Sequence, residues 1–219
     1  MLDPARCSDV EAVAVAAKGP PAPPPRSRWV VQLALGAIAA RNDGYIQRLQ
    51  NFGFHDTIYF GIPRFSVQVA QPRTRHYAVG LELASLDERV FRRDSTTTLS
   101  GMSERFWWAT YSLGLDGRFE YPIWRDRLIP YARINFALTY ARTSYQEIDA
   151  ATNAVKSDDI KSQLGFASRV AAGLAWMPWR HFGFSGEIND TYAPTLSNLT
   201  KDLHDSGGLG VLLGLRGEL

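Results

Sequence analysis

The chain holds a single cysteine, Cys7, in 219 residues. One thiol excludes an internal disulfide and any cysteine-ligated metal cluster. Cys7 reads as an ordinary thiol in a tail, because Met1 to Arg6 lacks the apolar run that a lipid-modified cysteine needs. Long hydrophobic runs are missing as well. No stretch approaches the ~18 charge-free apolar residues of a spanning helix, although hydrophobic residues make up 45% of the chain. This leaves strand-crossing membrane proteins open, since their signal per segment is much weaker. Charge of one sign is also scarce. The net charge is +2 and no basic stripe interleaves with aromatics, which argues against nucleic acid as a partner. Gly207-Gly208 reads as a turn rather than a phosphate loop. Asp158, Asp159 and Asp202 read as solvated loop acids rather than calcium ligands, so no cofactor or metal is expected.

What is present is a two-residue rhythm that restarts after Trp29. Tyr77, Val79, Leu81 and Leu83 alternate with Ala78, Gly80, Glu82 and Ala84. Ile134, Phe136, Leu138 and Tyr140 alternate with Arg133, Asn135, Ala137 and Thr139. A strand points successive side chains to opposite faces, so each segment has one apolar face and one lean face. Eight such strands are expected: 29–40, 58–70, 76–86, 106–121, 131–143, 163–176, 182–192 and 208–219. In the second, the apolar parity switches around Pro63, which predicts a bulge or a late start. The connections alternate between short turns (71–75, 122–127, 177–181) and long polar loops (41–57, 87–105, 144–162, 193–207). All long loops then share one end of an up-and-down sheet. Residues 1–28 are expected to be a disordered, proline-rich lead, with 29–219 forming one domain. Acidic residues fall early in that lead (Asp3, Asp9, Glu11), so it does not read as a secretory signal.

Two closed architectures fit eight antiparallel strands: a soluble barrel with an apolar cavity, or a membrane barrel with its apolar face in lipid. The lean face is crowded with glycine, alanine and serine, and lysine is absent from all eight strands, unlike a solvated surface. The same face carries Glu82, Asp116, Arg118, Glu120, Arg133, Arg169, Glu187, Arg216 and Glu218, close to charge neutrality. An interior of eight strands is only wide enough for side chains, so these groups are expected to plug the barrel as ion pairs. Aromatics gather at strand ends. Trp29, Tyr77, Tyr121, Trp124, Tyr131, Trp176 and Trp179 lie toward the short turns, and Trp107 and Tyr140 toward the long loops. Two interfacial belts of a spanning barrel are the expectation.

On strand count, loop alternation, belts and the final strand, residues 29–219 resemble the eight-stranded outer-membrane β-barrel family of Gram-negative bacteria, the OmpA-like and OmpW-like porin-fold proteins. The resemblance implies an all-β, antiparallel, up-and-down transmembrane barrel in the cell outer membrane. It also implies insertion by the barrel assembly machinery, which reads an alternating last strand such as Leu209, Val211, Leu213, Leu215. The expected partners are outer-membrane lipids, that machinery, and a ligand at the loops. The expected role is a structural or adhesive anchor displaying four long extracellular loops. Two other readings stand beside it: a soluble lipocalin-like barrel binding a lipophilic ligand, and an outer-membrane lipid-modifying enzyme or small narrow-pore porin. For an enzyme, the nearest pairings are His55 or His204 with Ser197 or Ser206. No spacing supports them, and no catalytic residue is expected.

Overall fold

Alternation dictates the architecture. In the computed structural model, which describes residues 29–40, 44–56, 62–94, 96, 101–196 and 203–219, every rhythmic segment is a strand. In chain order the elements are β1 (Val30–Ala40), α1 (Gly44–Asn51), β2 (His55–Asp56), β3 (Ile62–Pro72), β4 (Tyr77–Arg93), β5 (Met102–Glu120), β6 (Leu128–Asp149), β7 (Val155–Trp176), β8 (Phe182–Tyr192), β9 (Pro194–Leu196), β10 (Leu203–Asp205) and β11 (Gly208–Glu218). Eight of them close a ring. β1 pairs with β3 and β11, β11 with β8, and β8 through β7, β6 and β5 back to β4 and β3, all antiparallel. Closure joins the first and last strands, so the ring itself has no edge strand. Among the described residues no helix is long and apolar enough to cross a membrane.

The faces sort as the alternation demands. Leu115, Leu138 and Leu164 point outward and are 65%, 74% and 82% exposed, whereas Asp116, Arg118 and Arg216 point inward and are almost fully buried. The apolar cavity of a lipocalin-like barrel is thus absent from the described interior, and that alternative is overturned by the inversion of the faces.

Two expected loops are largely strand. β4 and β5 stay paired from Asp87↔Thr110 up to Arg93↔Glu104, and β6 and β7 up to Ile148↔Val155. The reason in β4 is a bulge between Ser85 and Asp87. It tucks Leu86 among Ala84, Ala137, Ala167 and Ala193 and moves the inward set from even positions to Asp87, Arg89 and Phe91. The continuing strand therefore reads out of phase. In β6 and β7 both faces turn polar, so no apolar alternation marks the extension. The expected second strand begins before β3, but residues 57–61 lie outside the described residues, as do residues 1–28.

Within the other two long connections, the described residues pack at the mouth. α1 carries Tyr45, Ile46 and Leu49 on one buried face, the spacing of an apolar helical stripe. It ends with Phe54 N–H donating to Leu49 O and Gly53 N–H to Gln50 O. Gly53 there adopts φ 83°, a left-handed conformation that glycine takes at no steric cost. Tyr45, Ile46, Leu49 and Phe54 pack with Phe91, Phe106, Trp108 and Ala141, with Tyr145 against them. At the opposite end Ile129, Tyr131, Ala175 and Met177 form a second apolar layer. A polar interior is thus sandwiched between two apolar layers.

Candidate functional site

All eight strands of the ring contribute to one buried polar network. Arg133 of β6 is its hub. Its Nε donates to Asp116 Oδ1 at 2.9 Å, and its terminal nitrogens meet Glu187 Oε2 at 2.8 Å, Asp116 Oδ1 at 2.8 Å and Glu82 Oε2 at 3.0 Å. A planar guanidinium presents five donors in a fixed fork, which suits it to three carboxylates from three strands. Arg169 Nη1 reaches the other oxygen of Glu82 at 2.5 Å, and Gln68 donates to Asp116. Arg64 Nη1 donates to Asn189 Oδ1 at 3.0 Å and Thr191 Oγ1 at 3.1 Å.

A second cluster lies toward the short turns. Arg216 grips Glu120 through both terminal nitrogens at 2.6 and 3.1 Å and reaches Glu218 at 2.8 Å. Arg118 donates to Gln32 Oε1 at 2.7 Å and lies 3.5 Å from Glu120. Tyr131 joins the clusters. Its hydroxyl donates to Glu187 at 3.3 Å and its ring stacks 4.2 Å from the Arg118 guanidinium. Gly173 makes room for that ring: a Cβ there would meet Tyr131 Cζ at 2.4 Å. Five arginines (Arg64, Arg118, Arg133, Arg169, Arg216) thus face five acids (Glu82, Asp116, Glu120, Glu187, Glu218). Buried ions of this density persist only when mutually paired and hydrogen-bonded.

The structure places in these clusters all nine charged residues read on the lean face: Glu82, Asp116, Arg118, Glu120, Arg133, Arg169, Glu187, Arg216 and Glu218. Sequence reasoning missed Arg64 and Tyr131 as members. Arg64 shares the parity of Ser66 and Gln68, but the parity switch near Pro63 hid it. Tyr131, expected in the aromatic belt, is buried in the interior; it shares the parity of Arg133, so the alternation itself pointed inward. The other expected belt residues face outward. Trp29, Tyr77, Tyr121, Trp124, Trp176 and Trp179 are exposed around the short-turn end, and Tyr140 is exposed toward the other. Trp107 lies beneath the Arg142 guanidinium at 5.9 Å.

The long-loop end holds its own polar set beneath α1. His204 Nε2 lies 3.0 Å from Asp87 Oδ2, and Asp87 also accepts from Arg89 Nε at 2.9 Å. The His204 ring packs at 4.8 Å against both Tyr45 and Trp108. Ser206 Oγ accepts from Trp108 Nε1 at 3.2 Å and lies 3.0 Å from Thr110 Oγ1. His204 and Ser206 are both almost fully buried. Their hydrogen bonds to Asp87, Trp108 and Thr110 tie down the barrel mouth. Ser197 and Asp202 lie outside the described residues. Asp158 accepts from Ser144 at 2.9 Å and Asp159 pairs with Lys161 at 2.8 Å.

No protein-family model and no curated protein matches the chain. Solved structures similar to it include Neisserial surface protein A, at 12% identity and a TM-score of 0.48, covering 89% of this chain and 99% of that one. Ail, the attachment invasion locus protein of Yersinia pestis, is similar at 11% identity and a TM-score of 0.46, covering 88% and 98%. The outer membrane protein OprG from Pseudomonas aeruginosa is similar at 12% identity and a TM-score of 0.43, covering 88% and 96%.

Proposed function

We propose that this chain is an integral outer-membrane β-barrel, plugged by its interior ion pairs, that serves as a structural or adhesive anchor for its extended hairpins. One observation carries the reading: the apolar side chains face out and the charged ones face in. An aqueous solvent favours the reverse arrangement, and a hydrocarbon solvent favours this one. The dimensions support it. β11 has eleven residues, and at roughly 3.3 Å per residue with a tilt of about 40° it rises about 25 Å, the height of the apolar band of such barrels. An outward groove of about 650 Å³ lined by Leu33, Leu35, Phe65, Phe184, Leu213 and Leu215 offers acyl chains a surface with little polarity.

The interior favours an anchor over a conduit. Arg133 bridges carboxylates from three strands across the lumen, and the layer around Tyr45 and Trp108 covers its mouth. β11 alternates Leu209, Val211, Leu213 and Leu215, the pattern expected of a strand read by the barrel assembly machinery. The hairpins β4–β5 and β6–β7 rise beyond the lipid band and form the surface on which an extracellular ligand would dock.

Fractionation with gel mobility tests the reading. Expressed with an export signal in a Gram-negative host, the protein should sediment with outer membranes and migrate faster unheated than boiled. In planar bilayers it should give no stepwise current. Recovery from the soluble fraction without detergent contradicts the membrane reading, and stepwise conductance contradicts the plug.

A further inference from the structure

We propose that the outer surface of the β4–β7 hairpins, just above the lipid-facing band, binds the phosphate of a lipid headgroup. The proposal rests on the membrane reading above. The strand register builds the surface rung by rung. The top rung runs Arg92↔Arg105↔Gln146↔Asp158, the next Val90↔Trp107↔Ser144↔Ile160, and the third Ala109↔Arg142↔Ser162. All of these but Ala109 and Ser162 line a concave pocket of about 370 Å³.

Three guanidiniums converge there. Arg92 and Arg105 stand directly opposite each other on adjacent strands, an arrangement that is destabilising without a shared counter-ion. Among the described residues none of Arg92, Arg105 and Arg142 forms an ion pair. Among the described residues the buried Arg105 Nε has no hydrogen-bond acceptor, and the Arg142 guanidinium lies over the face of Trp107, 5.9 Å from its ring centre. Neighbouring arginines on the opposite face behave differently: Arg89 pairs with Asp87 and Arg93 with Glu104. The pocket's one carboxylate, Asp158, sits at the far end of the top rung and is engaged by Ser144. Glu88 lies on the third rung, separated from Arg142 by Ala109. The pocket is therefore a cationic site missing its anion, and a phosphate matches the fork geometry of arginine.

The pocket's floor selects a lipid over a soluble anion. Val90, Trp107 and Ile160 make it apolar, and one rung below Arg142 the lipid face begins with Tyr111, Tyr140 and Leu164. An acyl chain on that face would place a phosphate on the same molecule among the arginines.

The test uses the full chain in maltoside micelles, with a diphosphorylated glycolipid and its phosphate-free counterpart as probes. Wild-type protein should retain the phosphorylated lipid at least tenfold better. R105Q and R142Q should lose most of that preference, whereas R75Q, which alters an exposed arginine at the short-turn end, should keep it. R105Q should also raise the unfolding midpoint without lipid and lower it with the phosphorylated lipid, a reversal that general misfolding does not produce. Equal retention of both lipids, or retention unchanged in R105Q and R142Q, overturns the site. Displacement by equimolar inorganic pyrophosphate overturns the lipid assignment. Vesicle insertion scored by heat-modifiable mobility reads the membrane assignment separately, so the two can fail independently.

Discussion

Replacing Arg133 by Gln probes the interior network at its hub. The change removes contacts of 2.8 to 3.0 Å with Asp116, Glu187 and Glu82. Three carboxylates then share what remains: Arg169 on Glu82, Gln68 on Asp116 and Tyr131 on Glu187. Two of these surviving partners are neutral, so negative charge is left uncompensated in a dry interior. Breaking a buried pair from one side costs about 3–5 kcal/mol, mainly because the orphaned charge stays buried. With a urea slope of about 1–3 kcal/mol/M, the midpoint should fall by at least about 1 M. The assay is urea unfolding of protein folded in lipid vesicles, followed by gel mobility and tryptophan fluorescence. Two controls sharpen it. The exposed pair Arg75–Asp126, at 3.6 Å, should cost about 0.5 kcal/mol or less when Arg75 becomes Gln. Adding Asp116→Asn and Glu187→Gln to Arg133→Gln should recover part of the loss, because charge and counter-charge leave together. A midpoint within 0.2 M of wild type for Arg133→Gln alone would refute the reasoning.

Other perturbations test separate parts of the structure. Gly173→Val drives its Cβ to 2.4 Å from Tyr131 Cζ and should cost about 1–3 kcal/mol as overpacking, read as a lower urea midpoint. Leu115→Arg, in the middle of the outward face of β5, should cost about 2–4 kcal/mol of folding in bilayers and little in a barrel that faces water. At the rim, burial and then the nearby Glu104 push the Tyr145 phenol up from 10.0 to about 12. A raised value means the contribution is intact below pH 10.0 and is lost as pH climbs toward about 12. Tyr145→Phe should therefore abolish the increase in proteolytic nicking of the α1 cap across that window, and an unchanged increase contradicts the assignment.

The strands were legible because lipid and lumen impose opposite demands at every step of two residues. Leu113, Leu115 and Asp116 declare their faces without any tertiary knowledge. Legibility fails where that contrast fades. Above the band both faces of β6 and β7 are polar, so 144–162 read as loop although most of it is paired. At Leu86 a single bulged residue reverses the parity, which hid the inward turn of Asp87, Arg89 and Phe91. The cap was hidden: Tyr45, Ile46 and Leu49 fall within a connection read as a polar loop, and only the fold brings Phe91, Phe106 and Trp108 beneath them. Tyr131 shows the opposite error, where placement at a strand end outweighed a parity already shared with Arg133. The pairings inside the network depend on register between strands distant in sequence, which no local pattern encodes.

The orientation of the two faces is tested most directly by spin labels at single cysteines replacing Ile134, Phe136, Leu138 and Gln146 in a Cys7→Ser background, with the protein in lipid vesicles. Labels at the first three should collide readily with oxygen and hardly with a water-soluble nickel chelate, while the label at Gln146, above the band, should show the reverse. Nickel access at Ile134, Phe136 and Leu138 equal to that at Gln146 would place the apolar face in water and contradict the account.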